Sequence, residues 1–137
     1  MIKIVKNTFF VLAICLFFAG CVLEEINPNL AGVWHCTETS EIFLKSTKGT
    51  SIFDVVIKQD AENLSKYYIE NIYDLGSSTE VYATVSGSSI SIPEQTVNGF
   101  VIKGSGTIND NYDLIYMTYT VDDGGGDVDH LTAEFAR

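Results

Sequence analysis

From Leu30 to the C-terminus apolar and polar residues alternate with a period of two, and helical three-to-four spacing is not sustained over any stretch. Such alternation sends neighbouring side chains to opposite faces, so each segment has one side to bury and one to leave in water. The pattern predicts strands at residues 32–39, 51–58, 67–73, 80–85, 89–92, 100–108, 114–121 and 128–135, each rich in β-branched and aromatic residues. Between them stand STKGT, DAEN, LGSS, SGSS, EQTVNG, NDNY and DDGGGD, compositions that tolerate the positive φ of tight turns. The expected fold class is therefore all-β, an eight-stranded antiparallel up-and-down meander.

Alternation also assigns the faces. Phe53, Val55 and Ile57 fall on one side of their strand, as do Val81, Ala83 and Val85, then Ile90 and Ile92, then Leu131, Ala133 and Phe135. Together they make an inner layer. Gly104 and Gly106 share a face in FVIKGSGTI, where missing side chains let a strand bend sharply or approach its neighbour closely. A meander bent in this way is expected to close into a barrel, which removes the edges that would otherwise pair with other chains.

The N-terminus has a different logic. MIKIVKNTFFVLAICLFFAG begins with Lys3 and Lys6, continues through an uncharged apolar run at 8–19, and ends in Ala19-Gly20 before Cys21. The run is shorter than the roughly 20 apolar residues that a membrane span needs, and Glu24 and Glu25 follow it closely. That is the layout of a cleaved export signal. The residues around Cys21 resemble the lipobox of bacterial lipoproteins, which implies acylation of Cys21 and a permanent hold on the outer membrane, on its periplasmic or its cell-surface side. Glu24 and Glu25 are also similar to an acidic export signal of Bacteroidetes surface lipoproteins. The expected organisation is a signal peptide at 1–20, a lipidated tether at 21–29 carrying Pro28, and one domain at 30–137.

With the leader removed, six basic side chains face 18 acidic ones, a net charge of −12. Such a surface repels phosphate backbones and disfavours nucleic acid as a partner. Of three cysteines, Cys15 leaves with the leader and Cys21 is acylated, so Cys36 has no partner for an internal disulfide and reads as a small buried side chain.

The first strand opens NLAGVWH, with Gly32-Val33-Trp34 as a G-x-W motif. This is similar to the opening of lipocalin-like proteins. The resemblance implies that Gly32 turns the chain inward, that Trp34 plugs one end of the barrel, and that an arginine of the last strand, here Arg137, covers the tryptophan by cation–π stacking. It also implies an interior able to take a small apolar molecule. SGSSISIPEQTVNGFVIKGSGTI with LIYMTYTV resembles small Bacteroidetes lipoproteins of no established activity. Those relatives often carry a second cysteine near the end, whereas this chain has His130 there.

Three constellations could carry chemistry. VDDGGGDVDH gathers Asp122, Asp123, Asp127 and Asp129 around three glycines, hard oxygens that could ligate calcium or simply a solvated hairpin. His35 and His130 lie on the first and last strands, adjacent in a closed barrel, and with Asp129 could begin a transition-metal site. Tyr67, Tyr68, Tyr73, Tyr82, Tyr112, Tyr116 and Tyr119 could form a glycan-stacking or protein-binding face, or serve as ordinary strand residues. No nucleophile elbow, phosphate-cradling loop or cofactor motif occurs. The expectation is a membrane-tethered, non-catalytic binding domain without a cofactor. Its ligand is a small apolar molecule inside the barrel or, alternatively, a protein engaged by a module without an internal pocket.

Overall fold

A computed structural model describes residues 29–42 and 49–137; the leader, Cys21 and all of the tether but Asn29 lie outside the described residues. The eight strands are β1 (Gly32–Ser40), β2 (Thr50–Gln59), β3 (Lys66–Glu70), β4 (Glu80–Ser86), β5 (Ser89–Val97), β6 (Phe100–Ile108), β7 (Leu114–Asp122) and β8 (Val128–Ala136). Each pairs antiparallel with the next, and β8 pairs back onto β1, from His35 opposite Ala136 to Ser40 opposite Leu131. The chain is a closed up-and-down barrel.

Burial follows the period of two. Along β1 the buried positions are Trp34, Cys36, Glu38 and Ser40, and along β8 they are Asp129, Leu131, Ala133 and Phe135. The inner layer expected from alternation is in place: Val55, Ile57, Val81, Ala83, Val85, Ile90 and Ile92 are all buried, and Phe53 packs against them. Each large aliphatic side chain so enclosed contributes about 1.5–3 kcal/mol.

Two elements depart from the expected boundaries by more than one residue. β3 stops at Glu70 rather than running to Tyr73, because Asn71, Tyr73 and Asp74 take positive φ (63°, 57° and 53°) and fold the chain into a 3₁₀ turn, Ile72–Asp74. β5, in contrast, passes through Pro93 to Val97 instead of ending at Ile92. Its ladder with β4 covers only Thr84–Ser91, Val85–Ile90 and Ser86–Ser89, so beyond Ser91 no β4 carbonyl waits for the N–H that proline lacks. Gln95 fills the gap with its side chain: Oε1 accepts the Tyr82 N–H at 2.9 Å and Nε2 donates to the Tyr82 carbonyl at 2.8 Å. Asn98-Gly99, both at positive φ, then makes the two-residue turn into β6.

The glycines of β6 permit its packing. Gly104 and Gly106 are in phase with the buried Ile102 and Ile108 and stand opposite Tyr119 and Met117 of β7. A Cβ at Gly104 would lie 2.6 Å from the Thr118 carbonyl oxygen, and one at Gly106 would press on the Tyr116 carbonyl oxygen and on Met117 Sδ. Backbone cannot yield as a side-chain tip can. Gly104→Ala and Gly106→Ala should each lose about 3 kcal/mol or more in urea unfolding, while the outward Ser105→Ala stays within about 0.5 kcal/mol of the parent. Wild-type midpoints for both glycine variants would contradict this packing.

Candidate functional site

Closure of the barrel makes two unlike ends. At the end where β1 begins, Gly32 has φ +137° and leads the chain inward. Trp34 follows, fully buried, and its Nε1–H donates to the Leu30 carbonyl at 2.8 Å, so the one polar atom of the ring is satisfied. The Arg137 guanidinium carbon lies 4.4 Å from the Trp34 ring centroid. Its nitrogens donate to the carbonyls of Tyr112 (2.7 and 3.0 Å), Asn29 (3.0 Å) and Ala31 (3.3 Å). Arg137 thereby ties Asn29 and Ala31, where the described domain begins, to the β6–β7 turn, and this end is sealed.

The opposite end is polar. Here the inner face of β1 changes from Trp34 and Cys36 to Glu38 and Ser40, and that of β8 begins with Asp129. Glu38 is 5% exposed and Asp129 is 2% exposed. Tyr119 Oη donates to Glu38 Oε2. Asp129 accepts from Ser40 Oγ, 2.7 and 2.6 Å from its two oxygens, from Tyr73 Oη at 2.9 Å, and from the Ile42 N–H at 3.3 Å. Glu38, Ser40, Ser51, Tyr73 and Asp74, with Gly49, surround a recess of about 280 Å³ that opens at this mouth.

No described cation reaches the mouth. Lys58 pairs with Glu70 and Glu80 on the outer face, Lys66 lies between the Tyr68 and Tyr82 rings, Lys103 pairs with Glu94 outside, and Arg137 is at the sealed end. Burial, together with the nearby Asp129 and Asp74, pushes Glu38 up from an ordinary 4.5 to about 7, although the Tyr119 hydroxyl favours its ionised form. Burial and neighbouring carboxylates, with Glu38 common to all three, also push the Tyr119, Tyr73 and Cys36 protons well above their usual ranges. Cys36 is a free, buried thiol rather than a nucleophile.

The structure places the residues of the calcium and histidine readings as follows. Asp122 Oδ1 accepts the Gly124 N–H and Asp123 Oδ1 the Gly125 N–H, both at 2.8 Å, so these two close the β7–β8 turn; Asp127 is exposed and Asp129 points into the mouth. His35 stands opposite Ala136, whereas the His130 carbonyl takes the N–H of Glu41. The two imidazoles are therefore separated along the strands by about 20 Å, despite lying on adjacent strands and on the same outer side. Instead, His35 Nδ1 meets Asp54 Oδ1 at 2.6 Å. Among the described residues no three His, Cys, Asp or Glu side chains form a metal set.

The tyrosines do not share a face. Tyr67 and Tyr119 are inside, Tyr73 covers the mouth, Tyr112 lies in the β6–β7 turn, and Tyr68 and Tyr82 flank Lys66 outside. Only Tyr116, 52% exposed, lines the broad hollow of about 620 Å³ on the outer face, beside Thr37, Thr39, Thr118, Thr132 and Glu134. Sequence reasoning missed the mouth as a unit. Its signal was the phase: Glu38, Ser40 and Asp129 occupy inward positions in step with Trp34 and Leu131.

The mouth carboxyl has a measurable consequence. With a folded pKa near 7 against 4.5 when unfolded, Glu38 keeps its proton in the folded state while the unfolded chain loses it. Stability from this group is fully present below about pH 4.5 and falls by about 3 kcal/mol as pH rises to about 7. Glu38→Gln should remove that loss, so the stability difference between variant and parent, measured by urea unfolding, grows across this window. A difference independent of pH would contradict the assignment.

No known protein family and no curated protein matches the chain.

Proposed function

We propose that the chain is a lipid-anchored, non-catalytic binding domain of a bacterial outer membrane, tethered through Cys21 and engaging its partner from outside a filled barrel. The anchor rests on the sequence: a charged start, an apolar run too short to span, and small residues before Cys21. The mode of binding rests on the interior. Inward positions on all eight strands hold the chain's own side chains, with Trp34, Tyr67, Ile92, Ile102, Met117 and Phe135 each no more than 2% exposed.

Small barrels commonly fill themselves in this way, and an apolar guest could enter only by displacing packed side chains. Two hollows lie on the outer face and one at the polar mouth. This arrangement favours the interaction module over the small-molecule carrier. Alternation leaves β6, β7, β8 and β1 with hydroxyl-rich outer sides bearing one exposed tyrosine, Tyr116, a surface suited to contact with another molecule.

Two measurements test the reading. Purified, delipidated domain mixed with a fluorescent fatty acid should show no stoichiometric uptake, and the full chain should sediment with membranes unless Cys21 is replaced by Ser. Saturable one-to-one uptake would restore the carrier. Retention of Cys21→Ser on membranes would remove the lipid tether.

A further inference from the structure

The outer wall of β6, β7, β8 and β1 carries two rows of side chains in register. Thr39, Thr132, Thr118 and Ser105 stand opposite one another along the first row, and Thr37, Glu134, Tyr116 and Thr107 along the second. Neighbours within a row are about 5 Å apart and the rows about 7 Å apart, so the eight positions tile one patch. The hollow of about 620 Å³ lies over them, and a second of about 370 Å³ shares Ser105, Thr118 and Thr132 with it and continues to Lys103, Thr120 and His130. Together they form one trough that follows the strands.

Its lining is selective. Around these rows the outward lysines meet carboxylates, Lys58 with Glu70 and Lys103 with Glu94, whereas Glu134, the one charge within the rows, has no ion pair among the described residues. Among the described residues no hydrogen bond occupies the hydroxyls of Thr37, Ser105, Thr107, Thr118 or Thr132, and only Thr39 meets another hydroxyl, that of Thr50 at 3.4 Å. Each threonine offers a methyl group beside a hydroxyl that can donate and accept. Tyr116, 52% exposed, adds an apolar ring face, and Glu134 directly opposite adds two acceptor oxygens.

This surface disfavours the commoner partners. A peptide strand finds no free backbone edge, because β6, β7, β8 and β1 are each paired on both sides. An amphipathic helix needs a line of apolar anchors, and these rows hold one ring. An anionic group would meet Glu134. A neutral pyranose has the complementary character, since its C–H patches and hydroxyls alternate around one uncharged ring.

We infer that the trough binds a neutral oligosaccharide, with one ring stacked on Tyr116, neighbouring hydroxyls of that ring donating to Glu134, and the next rings laid along the strands over Thr118 and Thr132. The stacking is apolar contact with the aromatic face, and the carboxylate bonds are charge-assisted. Every such bond replaces one made with water, so affinity comes from several at once and is modest. The inference rests on the outer-face binding role proposed above and names the class of partner.

The test titrates the purified, delipidated chain with maltotriose, cellotriose, mannotriose and chitotriose, each to about 20 mM, and follows it by nuclear magnetic resonance, with trigalacturonate as the charged control. At least one neutral trisaccharide should give saturable shifts centred on Tyr116, Thr118 and Thr132 with a Kd of about 1 mM or tighter, and trigalacturonate should give none. Tyr116→Ala and Glu134→Ala should each weaken that binding about tenfold or more at unchanged urea midpoints, while Tyr116→Phe, which keeps the ring, stays within about twofold. Saturation centred away from the two rows, equal binding of trigalacturonate, or full affinity in both alanine variants would overturn the inference. Silence of the whole neutral panel would also overturn it and leave the outer-face role standing, because that role falls instead to saturable uptake of the fatty acid.

Discussion

The ladder between β1 and β8 is the contact on which the rest depends. Its six residue pairs join the two ends of the described domain across the longest sequence separation of any ladder, from His35 with Ala136 to Ser40 with Leu131. Every other ladder connects strands consecutive in sequence, and those could form in an open sheet. Only closure brings Arg137 over Trp34 and Asp129 beside Ser40. It also sets the register that turns Glu38 inward, because a slip of one residue would send every side chain of β1 to the other face.

Closure yields a tube whose ends obey different physics. At the sealed end every polar group finds a short-range partner: the indole N–H meets a carbonyl, and the guanidinium spans three more while stacking on the ring. At the mouth the donors are weak acids themselves, Tyr119, Tyr73 and Ser40, and the acceptors are carboxylates. Such a network is satisfied by hydrogen bonding, and its buried Glu38 carboxyl is held above the ordinary carboxylate range by burial and by Asp129 and Asp74. The bulk of the interior between them is aliphatic and aromatic, which fixes the distance between the two ends.

Much of the fold was legible because burial on one side imposes a period of two that composition can express. β6 matched its expected bounds, β1, β4, β7 and β8 each ran one residue further at the C-terminal end, and β2 ran one residue further at both ends. The misses have local causes. Pro93 and the polar run after it read as a turn, since the side chain of Gln95 completing a ladder with Tyr82 leaves no trace in the pattern. Tyr73 read as strand because nothing in the identity of a tyrosine announces a left-handed φ. The sealed end was anticipated through the likeness of Gly32-Val33-Trp34 to a lipocalin-like opening, with Arg137 as its cover. The mouth was not, because Asp129 was grouped with its sequence neighbours Asp122, Asp123 and Asp127, whereas the pleat separates it from them and aims it at Ser40 and Tyr73.

The central claim is that one closed, cooperatively packed barrel holds both ends in place, and native-state hydrogen exchange on the β1 and β8 amides tests it most directly. If the β1–β8 ladder is integral to the fold, the amides of Cys36 and Phe135 exchange only through global unfolding, with the same free energy as those of Tyr119 and Val81. Exchange of β1 or β8 at a distinctly lower free energy, with the β2–β7 sheet still protected, would contradict it.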